Sequence, residues 1–318
     1  MIVTGKGGVG KSTVAAALAL IAARRGKRAI VAEVAARADV SRTLAGAAGG
    51  AFIERVLDHG VSHISIDPQG ALEEYLRDQL PNRALAELLS SSRMFGLFAA
   101  ATPGMRELLS IGKVWELAQP DRRTPGAEPY DLVILDAPAT GHGVAIIEAP
   151  RTFADAVSVG PVARQGRIIH AMLSDPSCTG VVAVARPQEL AVTETLALRV
   201  ALRDRMGLGV DAVVVNGMEP DRFGGSDVVA LREAIAGAVA VGSPSAPGHA
   251  AGPAQASAAA SASALRAHGR ARAQRNQVAR LRRGLGGEPV ACLPFVFAAS
   301  LEAEAVRRLS VELERRLP

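Results

Sequence analysis

Aromatic side chains are scarce: one Trp, two Tyr and seven Phe in 318 residues, against 49% apolar residues overall. A chain of this length can bury a large core, and that core must be built from Ala, Val, Leu and Ile. Cysteine is limited to Cys178 and Cys292. Two residues so far apart exclude both a metal-spaced pair and a disulfide framework, and a reducing, cytoplasmic compartment is the expectation. Long apolar runs are missing too. The longest, Val14 to Ala23, has ten residues, where a membrane-spanning helix needs roughly 20. No signal peptide is read, because the chain opens directly into a strand and loop that it needs. Lysine is rare: of 36 Lys and Arg, only Lys6, Lys11, Lys27 and Lys113 are lysines. The formal charge of +5 permits contact with nucleic acid or, peripherally, with an anionic membrane, and demands neither.

Two of those lysines fall in one stretch of nine residues, Gly5-Lys6-Gly7-Gly8-Val9-Gly10-Lys11-Ser12-Thr13. Arginine serves elsewhere, so lysine here marks a need for a flexible point charge rather than a planar fork. Ile2-Val3-Thr4 before the stretch reads as a buried strand, and Val14 to Arg25 after it as a helix. Strand, glycine loop and helix in that order make a phosphate-binding loop. Gly7, Gly8, Val9, Gly10, Lys11, Ser12 and Thr13 are expected to cradle phosphates with backbone N–H groups, aided by the partly positive helix N-terminus. Lys11 is expected to reach the β- and γ-phosphates of ATP, and the Ser12 hydroxyl to ligate Mg²⁺. Only Ile2-Val3-Thr4 precede the loop as strand, fewer than the 5–6 of a typical strand. The start is therefore expected a few codons upstream, with a frayed first strand.

Further along, short apolar runs alternate with helical stretches. Strands are expected at 28–34, 63–66, 130–135, 180–185, 210–215 and 290–293. Helices are expected at 144–157, 162–173, 188–206, 265–283 and 301–317, and one is capped by Asp67 with Pro68 in its first position. The pattern predicts an α/β fold with a doubly wound, mostly parallel sheet, forming a single domain over 1–318. Helical periodicity from 70 to 125, broken at Pro81 and Pro103, predicts a cap subdomain. Its apolar cluster Met94, Phe95, Leu97, Phe98, Met105 and Leu109 reads as helical core or as a groove for a hydrophobic client. The Pro/Gly/Ala/Ser-rich stretch 240–263 reads as a flexible insertion. The arginines of 265–283 read as a solvated helix face, since no aromatics interleave to stack bases.

Asp136, at the end of the 130–135 run, stands where a Walker-B carboxylate would hold Mg²⁺. It is followed by Ala137-Pro138-Ala139-Thr140-Gly141-His142. A lysine directly after the first glycine marks a deviant Walker loop. With D-x-x-x-T-G-H after a strand, it resembles the arsenite-pump (anion-transporting) ATPase family, which includes the eukaryotic ATPases that target tail-anchored membrane proteins. Pro187-Gln188-Glu189 with Thr193-Glu194-Thr195, Val213-Val214-Val215-Asn216 and Leu293-Pro294-Phe295 extend the likeness over most of the chain. The resemblance implies a phosphate-loop NTPase fold and an ATPase using ATP and Mg²⁺. It implies a dimer in which Lys6 reaches the partner's nucleotide, Thr140 and Gly141 that sense the γ-phosphate, and Asn216, Pro294 and Phe295 at the adenine. It implies a hydrophobic or membrane-protein client. The bacterial, actinobacterial-style branch, in which homologous subunits can pair, is the nearest in kind.

The sequence also departs from that family. Its switch I aspartate, which orients the attacking water, aligns with Ala35. Glu33 and Asp39 are the candidate replacements, and loss of such a base costs about 10²–10⁴ in rate. ATP hydrolysis is therefore expected to be weak, and a non-hydrolysing subunit beside an active homologue is the alternative. The C-x-x-C zinc pair of the targeting ATPases is absent, and two separated cysteines make a poor arsenite site. A partitioning- or septum-site ATPase acting on DNA or membrane is a third reading, opposed by the T-G-H motif and the long helical insertion.

Overall fold

The computed structural model describes residues 1–79, 104–124, 126–157, 160–241, 253–298 and 300–317. In chain order the elements are β1 (Ile2–Gly5), α1 (Lys11–Arg24), β2 (Ala29–Val34), α2 (Asp39–Ala45), β3 (Arg55–Val56), β4 (Val61–Ile66) and α3 (Pro68–Gln79). Then come α4 (Met105–Leu117), β5 (Leu132–Asp136), α5 (Thr140–Val157), α6 (Pro161–Ser174), β6 (Val181–Ala185) and α7 (Glu189–Met206). The chain ends with β7 (Ala212–Met218), α8 (Gly225–Val241), α9 (Pro253–Gly284), β8 (Val290–Pro294) and α10 (Ala303–Glu314). The strands form one sheet in the order β3-β4-β2-β5-β1-β6-β7-β8. Every pairing is parallel except that of β3 with β4.

Parallel strands need both faces covered, so their sequences run apolar throughout instead of alternating. The two sides of β1 show this: Ile2 faces one core with Ile30, Ile64, Ile111 and Ile147, and Val3 faces the other with Val14, Val31 and Leu309. On the second side the Ala-rich α1 is buried almost all round, from Val14 to Ala22, and α10 packs on it. Small side chains let that helix lie close to the strands. The first strand is not frayed: β1 is hydrogen-bonded to β5 on one side and β6 on the other. It is thus central, and the chain switches sides of the sheet around it, the place where open α/β sheets bind ligands.

Three expectations change. Residues 253–263 are the first turns of α9 rather than part of a flexible stretch. Alanine is the best helix former, and the tract joins an arginine-rich segment that already packs on α8. The stretch 242–252 lies outside the described residues. Residues 39–41 open α2. No helix was expected at α8 and no strand at β3. Of the cap cluster, Leu109 packs with Ala71, Leu72 and Leu76 between α3 and α4, and Met105 lies against them. Met94, Phe95, Leu97 and Phe98 fall outside the described residues.

Candidate nucleotide site

The loop between β1 and α1 is shaped by close approaches that only glycine allows. Gly5 has φ +150°, and a Cβ there would stand 2.2 Å from the Val184 carbonyl oxygen. Gly10 has φ +94°, and its Cβ would stand 2.2 Å from Asn216 Nδ2. Helix α1 then begins at Lys11 with no side-chain cap. Its first N–H groups are left uncapped behind the exposed Gly7 and Gly8, and uncapped N–H groups at a helix start attract an anion.

Lys11 is buried, and its ammonium donates to the Lys6 carbonyl at 3.0 Å. Burial lowers its pKa, and the nearby Arg37 lowers it further while Asp136 opposes them. Lys6, half-exposed, forms an ion pair with Glu194 of α7 at 2.9 Å. Within one chain, therefore, the early lysine is engaged by an acidic partner on α7. Glu194 was quoted in the sequence only as part of a helix start.

Ser12 donates to Asp136 Oδ2 at 2.6 Å. Asp136 is fully buried, yet its Oδ1 has no hydrogen-bond partner. A buried carboxylate oxygen left bare is costly, and here it sits beside a hydroxyl at the mouth of the phosphate loop. A serine hydroxyl and one carboxylate form the donor set with which such a loop holds Mg²⁺ once phosphate oxygens complete the shell. The residues therefore fit the ion. Burial pushes the Asp136 carboxyl up to about 6, with Glu33 adding to the rise and Arg37, Ser12 and Lys11 opposing it. Its folded-state value lies above its ordinary one, so its contribution to stability is full below about pH 4 and is lost as pH rises through about 6. At one pKa unit per about 1.4 kcal/mol, that is up to about 3 kcal/mol. Denaturant titrations of the nucleotide-free protein should show that loss between about pH 4 and about pH 6.5, with no further change from this group above it. Asp136→Asn should flatten the slope, and an unchanged slope would show that Asp136 is not its source.

The switch I region differs from expectation. Glu33, fully buried, accepts from the backbone N–H of Asp39 (3.0 Å) and Val40 (2.9 Å), and its Oε2 lies 2.8 Å from His63 Nε2. Both oxygens are thus spent on capping α2 and on the buried His63, which leaves neither to orient water. Asp39 is paired with Arg42 at 2.9 Å along the exposed side of α2. Between these anchors Ala35 and Ala36 both have left-handed backbones, φ 62° and 54°. Each costs an L-residue other than glycine about 1–2 kcal/mol. The same turn delivers a residue the sequence reading passed over. Arg37 places Nη2 2.8 Å from the Asp136 carbonyl and 3.2 Å from its Oδ2. An arginine before a helix in an arginine-rich chain carries no sequence signal that would single it out.

At the other end of the site, Asn216 lies at a register shift between β7 and β8, next to Gly217 with φ +83°. The bulge turns its amide toward the loop, where Nδ2 donates to the Val9 carbonyl at 2.9 Å. Part of its donor capacity is thus engaged in holding the phosphate loop. Pro294 ends β8, and Phe295 stacks edge-on with Phe297 at 4.8 Å. Both rings line a cavity of about 300 Å³ with Arg222 and Arg270. The sequence did not single out Arg186, whose Nη2 lies beside Gly217 and whose buried Nε has no partner. Thr140 and Gly141 form the first turn of α5, directly beyond β5, and their contacts lie outside the described residues.

In comparison with known proteins, residues 1–165 match the family model for anion-transporting ATPases. The chain belongs to that family. It is an ATPase with the family's phosphate-loop fold. The ATPase BagA of Mycobacterium tuberculosis (strain ATCC 25618 / H37Rv) is 30% identical over 256 residues, covering 76% of this chain and 71% of that one. An arsenical pump-driving ATPase of Escherichia coli is 25% identical over 248 residues, 71% of this chain but 40% of that protein. The ATPase ASNA1 homolog 2 of Paramecium tetraurelia is 27% identical over 161 residues, 47% of this chain and 43% of that one. This anion-transporting ATPase homologue thus aligns with only part of the length of the last two. No helix among the described residues is long and apolar enough to cross a membrane.

Proposed function

We propose that the protein is a Mg²⁺·ATP-driven switch that works as a dimer, homodimeric or paired with a homologous ATPase. The observation that carries this reading is that Asp136, bonded to Ser12 through Oδ2, keeps its other carboxylate oxygen buried and bare at the loop. Lys11 and the N–H groups of residues 7–13 hold the phosphates, Asn216 and Phe295 border the base, and Thr140 and Gly141 report the γ-phosphate to α5. Ser12 and Asp136 would hold Mg²⁺, which when bound would neutralise phosphate charge. Lys6 exchanges its Glu194 partner for the nucleotide of the facing subunit. Closure then moves α3 and α4, where Leu72, Leu76, Met105, Leu109 and Ile169 line an apolar cavity of about 150 Å³. A hydrophobic segment of a client fits such a lining. Nucleic acid is a poorer fit: in α9, Arg270 and Arg275 are neutralised by Glu219 and Asp221.

The test is mass measurement by light scattering with ADP and with a non-hydrolysable ATP analogue, each with Mg²⁺. ATP-dependent doubling of mass in the wild type, lost in Lys6→Ala, is the expected result. Glu194→Ala frees Lys6 and should favour the dimer, since the exposed pair it removes stabilises the monomer by at most about 1 kcal/mol. A mass that ignores nucleotide, with the paired homologue present or absent, would sink the proposal. A second reading has one observation in its favour: Glu33 is fully committed to α2 and His63. On that reading turnover by this subunit is slow, and an active homologue supplies most of the hydrolysis.

A further inference from the structure

Phosphate binding does not account for the contact between Arg37 and Asp136. The guanidinium touches both the carbonyl and the carboxylate of Asp136, and Nε of the same side chain donates to the Val34 carbonyl at 3.3 Å. The cation therefore lies against the carboxylate oxygen that also accepts from Ser12. Arg37 depresses the Lys11 ammonium as well, so its charge is felt inside the phosphate cradle. Two cations, Arg37 by contact and Lys11 by charge alone, thus act on one buried carboxylate.

The loop that carries Arg37 is braced at both ends. Glu33 ends the brace on the β2 side, and the same carboxylate holds the first N–H groups of α2. Only Val34 to Ala38 lie between, and two of these five residues, Ala35 and Ala36, are exposed and in the left-handed region. Beyond the β2 ladder at Val34 and the Ala38 carbonyl, which accepts from Arg42 N–H at 3.0 Å in the first turn of α2, the exposed centre of the loop makes one backbone bond, Ala36 N–H to the Ile66 carbonyl at 3.2 Å. Strained backbone persists where the surroundings over-determine it, and here Arg37 supplies three of the restraining contacts.

We propose that Arg37 is a positioning residue that holds Asp136 through its carbonyl and Oδ2 while the site is empty and leaves when Mg²⁺·ATP binds the carboxylate, releasing the 34–38 loop. This rests on the nucleotide-site reading above. The arginine keeps a buried carboxylate neutralised without metal, and its departure tells switch I that the ion has arrived. The displaced guanidinium stays on a short loop beside the phosphates, so release does not remove it from the site.

The test uses the full chain and a fluorescent ATP analogue at pH 8, well above the value for Asp136. Titrating Mg²⁺ gives the concentration at which analogue binding is half-enhanced. Arg37→Ala is expected to lower that midpoint about tenfold, the worth of one charge-assisted contact. Hydrogen exchange over 34–40 supplies a readout independent of activity. Wild type should exchange slowly when nucleotide-free and faster with Mg²⁺·ATP, and Arg37→Ala should exchange fast in both states. A midpoint that is unchanged or raised in Arg37→Ala, or exchange over 34–40 that does not depend on Arg37, overturns the inference. Wild type that binds no nucleotide defeats both this inference and the site reading. Wild type that binds Mg²⁺·ATP normally beside an indifferent Arg37→Ala defeats the inference alone.

Discussion

Replacing Lys11 with alanine is expected to reduce ATP turnover by about 10³-fold, the usual loss when one preorganised charge is removed from a transition state. The ammonium is already buried and desolvated before nucleotide arrives, resting on the Lys6 carbonyl. It is therefore preorganised toward the position where negative charge develops, and water cannot replace it at equal strength. Burial that lowers the Lys11 pKa also makes the residue a cost to the empty protein. Lys11→Ala should therefore be at least as resistant to heat as the wild type while losing activity. Phosphate release at saturating ATP, beside a melting curve, checks both halves. A variant that keeps more than about a tenth of the wild-type rate would remove Lys11 from the phosphate contacts.

Ala35→Asp is the second large effect, in the opposite direction. Ala35 stands where a water-orienting aspartate is expected, and neither substitute is free: Glu33 caps α2 and Asp39 is paired with Arg42. A correctly placed base contributes about 10²–10⁴ in rate, so a gain of about 10² is expected even with imperfect placement. The backbone favours the change. Ala35 has φ 62°, a region that aspartate tolerates better than alanine, and the residue is exposed. Single-turnover hydrolysis by wild type, Ala35→Asp and Ala35→Asn separates the base from mere backbone relief. Asparagine shares the tolerance for left-handed φ but cannot take a proton. Equal rates in all three would mean that water is oriented from elsewhere, and a gain confined to the aspartate would support the slow-subunit reading.

Much of this molecule was legible in one dimension, and the reasons are local. A glycine loop between an apolar strand and an Ala/Leu helix requires strand, turn and helix whatever surrounds them. The left-handed Gly10 and the 2.2 Å approach of Asn216 to its missing Cβ show why no other residue stands there. Runs such as Val181–Ala185, apolar on both faces, predict a doubly covered parallel sheet. Asp136, placed directly after such a run, could be read as a strand-end carboxylate. Helix α9 shows where local reasoning slipped: a tract of small residues read as flexible is helical from Pro253, because alanine favours a helix and α8 offers a surface to pack on.

The sequence by itself determined the sheet, the phosphate loop and the family, because glycine geometry, strand periodicity and the order of motifs are properties of neighbouring residues. The tertiary structure alone decided what each charged side chain does. Glu33 meets His63 only where β2 pairs with β4, Lys6 meets Glu194 188 residues away, and Arg37 meets Asp136 across 99 residues. A buried charge takes its role from the partner that desolvation forces upon it, and that partner is supplied by the fold rather than by adjacency in the chain.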